Sequence, residues 1–248
     1  MKINNQEIKI ERFDIFTYRR IRRSIGYLGI SLPILLVGFS LIPFFKTQLQ
    51  PSISHYYYTN LREIFTGTLC AVGLFLICYK GNGNRSIWKN DNALTNIAGI
   101  MALGTALIPT NPDDFSSKIY TLIPYPDVWL GSLHYGFAAL LFLIFSLLAI
   151  NVFTIGQENE TRAPKSILNE NNIYRACGYL IILFVVMVPV AEQLKLFPYS
   201  TLILEALSLF AFGIAWLIKG RALGDQGVIG QKLYQENNPV DTEKAISK

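Results

Sequence analysis

The amino-acid sequence predicts an all-α, polytopic integral membrane protein: a bundle of six transmembrane helices with both termini in the cytoplasm. Three observations carry this expectation. Charged residues make up 16% of the chain, against about 25% in a typical soluble domain. The apolar residues, 51% of the total, gather into blocks that are apolar all round, whereas a helix on a soluble core is apolar along one stripe. The basic residues, finally, are divided very unevenly between the segments that join those blocks.

The blocks run over 24–44, 64–79, 94–109, 132–153, 173–191 and 201–218. A crossing takes roughly 17–25 residues at 1.5 Å each. The second and third blocks are short and reach that length only with polar flanks. Basic loops stay in the cytoplasm. Of the 22 Lys and Arg residues, all but Lys46, Arg62, Lys118 and Lys195 fall on one side of a six-span topology. The net charge of +5 is this asymmetry, and it leaves no basic soluble domain to hold nucleic acid. The implied location is a bacterial cytoplasmic (inner) membrane.

Three regions follow. Residues 1–23 form a basic segment in which Ile8, Ile10, Phe13, Phe16 and Ile21 alternate with cations. That pattern suits either a short helix on the inner leaflet or a basic tail that only sets orientation. The first block is too long for a signal-peptide core and lacks a small-residue cleavage site, so it reads as an uncleaved anchor. Residues 24–219 form the six-helix domain, and 220–248 a cytoplasmic tail. Cys70 and Cys78 are about 12 Å apart along one helix, too far for a disulfide.

Within the blocks the packing signals are small residues: Gly26 and Gly29 in the first helix, and the stripe Ala98, Ala102, Ala106 beside Gly99 in the third. Trp88 and Trp216 are expected at the inner interface; Tyr56, Tyr57, Tyr58, Tyr125 and Trp129 at the outer one. An internal echo relates the first and fifth helices. Arg23-Ser-Ile-Gly26-Tyr27-Leu28 opens one and Arg175-Ala-Cys-Gly178-Tyr179-Leu180 the other. Each is followed by a Lys and then a Pro, Lys46 with Pro51 and Lys195 with Pro198.

The outer side is poor in cations but rich in specific polar groups. Both histidines, His55 and His134, fall there, with Arg62, Glu63, Asp113, Asp114, Asp127, Glu192 and Glu205. Asn60 with Glu63 three residues on reads as a helix N-cap pair. Thr59, Arg62, Thr66, Cys70 and Gly73 then form one polar, small face of the second helix, turned into the bundle. With Ser200 capping the sixth helix, Glu205 lies roughly 7 Å below the outer interface. An ionisable residue within a membrane span is a functional candidate by default. Arg62 is the cation best placed to compensate it, although such a pair can also be purely structural. The expected ligand site is therefore Arg62, Glu205, His55 and His134, with Asp114 or Glu192, beneath the tyrosine loop that carries Tyr57. No HxxxH, HExxH or paired spacing is present, so no metal or cofactor is expected. A Ser-His-acid site from Ser52 or Ser54 lacks a nucleophile elbow.

The stretch from Pro51 to Gly67, with Gly73 and the Pro109-Thr110 helix exit, resembles a group of bacterial six-helix membrane proteins. More remotely it resembles the DRAM and GPI-anchor-lipid-remodelling membrane proteins, whose first outer loop also carries a Pro-x-Ile-Ser, here Pro51 to Ser54. The resemblance implies six helices and a link to membrane lipids, without a catalytic residue to carry over. Three functions fit these residues. The first is binding, and conceivably modification, of a lipid headgroup or small amphiphile in an outer-leaflet pocket. The second is a transporter or channel subunit, against which the inner helix halves offer only Asn96 and Asn151. The third is a non-enzymatic assembly partner. Whether the chain is an enzyme is left open by its sequence.

Overall fold

The computed structural model describes residues 5–81, 83–112, 121–122, 128–155, 168–195, 197–224 and 228–234. Six long helices follow one another: α1 (Asn5–Ser40), α2 (Arg62–Cys78), α3 (Asp91–Leu107), α4 (Val128–Leu147), α5 (Glu170–Leu194) and α6 (Ser200–Lys219). A π-helical turn over Leu148–Val152 extends α4, and a short α7 spans Val228–Leu233. Among the described residues there is no strand.

Among the described residues, four stretches are long and apolar enough to cross a membrane: Phe16–Ser40, Trp129–Val152, Glu170–Leu194 and Ser200–Lys219. Between 22% and 50% of the most apolar window of each is buried inside the bundle, while large apolar side chains such as Ile34, Leu140, Leu183 and Ile203 are exposed, a surface that suits lipid rather than water. The chain is a helical membrane protein. Helices α2 and α3, at 17 residues each, extend about 25 Å, short of the roughly 30 Å hydrocarbon core.

Each helix packs on its sequence neighbours, and α6 returns to α1, so the six close into a ring. Glycines allow close backbone approach at two crossings. A Cβ on Gly213 of α6 would lie 2.7 Å from the Gly26 carbonyl of α1, and one on Gly99 of α3 would lie 2.6 Å from the Gly73 carbonyl of α2. Lipid supplies no hydrophobic drive for helix association, so close backbone approach through small residues provides the packing energy instead. Ala98, Ala102 and Ala106 are fully buried, as their stripe predicts.

The echo between α1 and α5 has a structural counterpart. Lys46 (φ 46, ψ 38) and Lys195 (φ 47, ψ 48) share the left-handed conformation, uncommon for a residue with a Cβ. Gly26 faces α6, the helix preceding α1 around the ring, and Gly178 faces Ser146 and Ile150 on the α4 segment preceding α5.

Several local expectations are corrected. The basic segment and the first apolar block share one helix, since α1 runs unbroken from Asn5 through Ser40. The Asn60–Glu63 cap pair does not form: α2 starts at Arg62 behind Leu61, which makes no side-chain cap, and the Asn60 amide donates to the Phe45 carbonyl. Ser200 is the first residue of α6 rather than its cap. The most buried face of α2 is Phe65, Leu69, Val72, Gly73 and Leu76, with Arg62, Thr66 and Cys70 half-buried beside it. Trp216 is no interfacial belt residue. At 1% exposure it packs edge-on against Tyr79 and Phe153. Tyr56 and Tyr57 are likewise core residues, whereas Trp88 and Trp129 are exposed. Beyond α6, Leu233 and Tyr234 are buried against the bundle.

Candidate functional site

The segment joining α1 to α2 enters the bundle as a plug. Ser52, Ile53, Ser54, Tyr56 and Tyr57 are all buried, so their polar groups require partners inside the protein. Those partners come from four helices and the loops beside them. The Pro51 carbonyl accepts from the Leu202 amide at 2.9 Å, one of the amides that the first turn of α6 leaves unpaired. The Ile53 amide donates to Glu205 Oε2 at 2.7 Å. Tyr56 O–H reaches Ser40 Oγ at 3.3 Å, and Tyr58 O–H donates to the Thr110 carbonyl. Ser54 Oγ meets His134 Nε2 at 2.9 Å, and His134 Nδ1 meets the Ile108 carbonyl at the end of α3 at 2.6 Å.

Successive residues of the plug face two different spaces. Ser52 and His55 line an open groove of about 390 Å³ between the plug, the end of α5 and the start of α6, together with Glu192, Lys195, Ser200 and Thr201. Ile53 and Ser54 line an interior cavity of about 30 Å³ with Thr105, Glu205 and apolar side chains of α1, α2, α4 and α6. The groove falls in the size range of small-molecule pockets. The cavity has room for about one or two water molecules.

The expected site is therefore distributed. Structure places His55 and Glu192 in the groove, His134 and Glu205 around the inner cavity, and Arg62 with Tyr57 beside the plug. Arg62 Nε donates to the Tyr57 carbonyl at 2.6 Å, and its guanidinium lies 4.8 Å from the centre of the Tyr57 ring. Burial pushes the Tyr57 phenol above its ordinary range, with the Arg62 charge opposing the shift. The Arg62–Glu205 ion pair is not formed. The compensation sought for Glu205 comes from the Ile53 amide, and among the described residues no cation pairs with it. Asp114, like Asp113, Tyr125 and Asp127, lies outside the described residues.

Groove chemistry is mixed in sign. Glu192 Oε1 accepts from Thr201 O–H at 3.1 Å, and the left-handed Lys195, exposed at the rim, ends α5 with its amide on the Ala191 and Glu192 carbonyls. Ser52 Oγ accepts from the His55 amide at 3.3 Å and lies 2.6 Å from His55 Nδ1. The exposed Phe197 belongs to the groove lining, and Tyr199, two residues on, is exposed as well.

At the opposite end the bundle holds a second buried polar group that sequence reading missed. Arg22 of α1 donates to Tyr79 Oη through Nε and Nη2, at 3.2 and 2.8 Å. Tyr79 in turn donates to Asp91 Oδ2 at 3.1 Å. Lys219 Nζ donates to the Phe153 carbonyl at 3.2 Å, and Glu170 is 1% exposed. These residues sit at or just past the ends of apolar blocks, where hydropathy reads any charge as a solvated flank. Among the described residues no group of three or more His, Cys, Asp or Glu side chains is arranged to hold a metal. No family model, curated protein or solved structure matches the chain.

Proposed function

We propose that the protein crosses a bacterial cytoplasmic membrane six times, with both termini in the cytoplasm, and binds a lipid headgroup or small amphiphile in the groove beside the plug. The groove itself carries this reading. It sets a cation (Lys195), a carboxylate (Glu192), hydroxyls (Ser52, Thr201) and an imidazole (His55) around about 390 Å³, and it opens onto exposed aromatic side chains. A headgroup that bears a phosphate or carboxylate meets Lys195 and the amino end of α6, whose dipole favours an anion. An ammonium on the same ligand meets Glu192. The attached chain then lies along the apolar surfaces of α5 and α6.

Lipid that co-purifies with the detergent-extracted protein tests this reading. Lys195→Glu reverses the charge at the rim and should lower retained phospholipid about tenfold, measured by native mass spectrometry, with little change in melting temperature. Equal lipid content in the variant would remove the groove as the binding site. The topology has its own test. Reporter fusions after Asn84, Glu160 and Lys248 should score as cytoplasmic, and fusions after Gln48, Ser117 and Lys195 as external. An external signal from the fusion at Glu160 would break the six-span topology.

A further inference from the structure

We propose that Ser54 and His134 form a nucleophile–base pair that transfers an acyl group from an ester-linked amphiphile, a reading that takes its substrate class from the groove. The two residues are 80 positions apart and meet only through the fold, one on the plug and one on α4. Their hydrogen bonds determine where the protons lie. The Ile108 carbonyl can only accept, so His134 Nδ1, 2.6 Å away, must carry the ring proton. Nε2 of the neutral ring then bears a lone pair, and the hydrogen of its 2.9 Å contact comes from the Ser54 hydroxyl. The serine proton is thus already aimed at a base, and the base is held in one tautomer by a third group, the arrangement that activates a hydroxyl. The carbonyl orients the ring as a carboxylate does in a triad, without its full charge.

The surroundings of the hydroxyl are mostly apolar, and the small cavity beside it must widen to admit an ester. Ser54 lines the interior cavity among Leu32, Phe65, Leu69, Leu141 and Leu209, with Glu205 the charged member of the lining. Glu205 holds the plug through the Ile53 amide, next in sequence to Ser54, and so acts as a positioning residue. The Ser52–His55 contact spans three residues and is a local turn on the groove side. One short loop therefore presents its headgroup-facing side chains to the groove and its hydroxyl to the apolar interior.

In the reaction Ser54 Oγ bonds to the ester carbonyl carbon while its proton passes to His134 Nε2. The ester C–O bond breaks, and the imidazolium returns that proton to the departing alkoxide. Water then adds to the acyl-Ser54 carbonyl, giving its proton to His134. As the acyl–Ser54 bond breaks the proton moves to Ser54 Oγ, which leaves a free carboxylic acid and restored serine. The balance is ester plus water to alcohol plus acid.

A fluorophosphonate probe on the full-length protein in detergent tests the pair directly, because it phosphonylates a serine only where a base removes the hydroxyl proton. Peptide mapping should find the adduct on Ser54 and not on Ser52. His134→Asn keeps a donor for the Ile108 carbonyl but removes the base, and should slow labelling about 100-fold. In phosphatidylglycerol vesicles the wild type should release free fatty acid and Ser54→Ala should not. An unlabelled Ser54 in protein with its normal melting transition, equal labelling in His134→Asn, or labelling without fatty-acid release would each overturn the proposal. These outcomes are separate from those for the groove: loss of labelling with lipid retention still dependent on Lys195 sinks only the acyl transfer. Labelling and release that persist while Lys195→Glu retains full lipid sink only the headgroup site.

Discussion

Replacing Asp91 with Ala should destabilise the protein by about 2–3 kcal/mol, the cost of removing a charged acceptor and leaving its buried donor unsatisfied. The donor is Tyr79, whose phenol links the Arg22 guanidinium to Asp91 Oδ2. Asp91 is 5% exposed, and Gly81 closes over it so tightly that a Cβ there would lie 2.3 Å from Asp91 Cγ. Water has little room to replace the lost carboxylate. In a chain of this length the loss corresponds to a drop of about 5–10 °C in melting temperature, readable by thermal unfolding in detergent. Asp91→Asn keeps an acceptor for Tyr79 and should lose clearly less. Equal losses for the two variants would mean that side-chain volume, rather than the acceptor, is what matters at this position.

The second large effect is at the crossing of α1 and α6. Gly213→Val should cost about 1–3 kcal/mol or more by overpacking, because the new Cβ would meet the Gly26 carbonyl at 2.7 Å and Ile30 Cγ1 at 2.5 Å. Backbone cannot rotate aside, so α1 must move away from α6 and give up its neighbouring contacts. Gly67→Ala on α2 makes the matched control. Nothing lies within 4 Å of its Cβ position, and helix propensity favours alanine, so its melting temperature should hold or rise. A Gly213→Val protein that melts like the wild type would show that the α1–α6 contact contributes little to holding the ring closed.

How far each feature was legible follows from the range of the force behind it. The apolar blocks and their small-residue stripes are local patterns, read directly from runs such as 132–153 and from Ala98, Ala102 and Ala106. Cap assignments failed at Asn60 and Ser200 because capping depends on backbone angles that the buried plug imposes from outside the helix. Trp216 and Tyr56 were misplaced for a related reason. An aromatic near a block end has the composition of a belt residue, and only packing shows that its ring faces the core.

The sequence alone determined that this is a helical membrane protein, since hydrophobicity sums along the chain whatever the fold. It also located the polar loop with His55, Arg62 and Glu63 and the ionisable Glu205. The tertiary structure decided what those groups do. It gave Glu205 to the Ile53 amide and Arg62 to the Tyr57 carbonyl, and brought Ser54 to His134 across 80 residues. A buried polar group takes whichever partner the packing presents within hydrogen-bond reach. That choice turns on ångströms between distant segments, which residue order does not record.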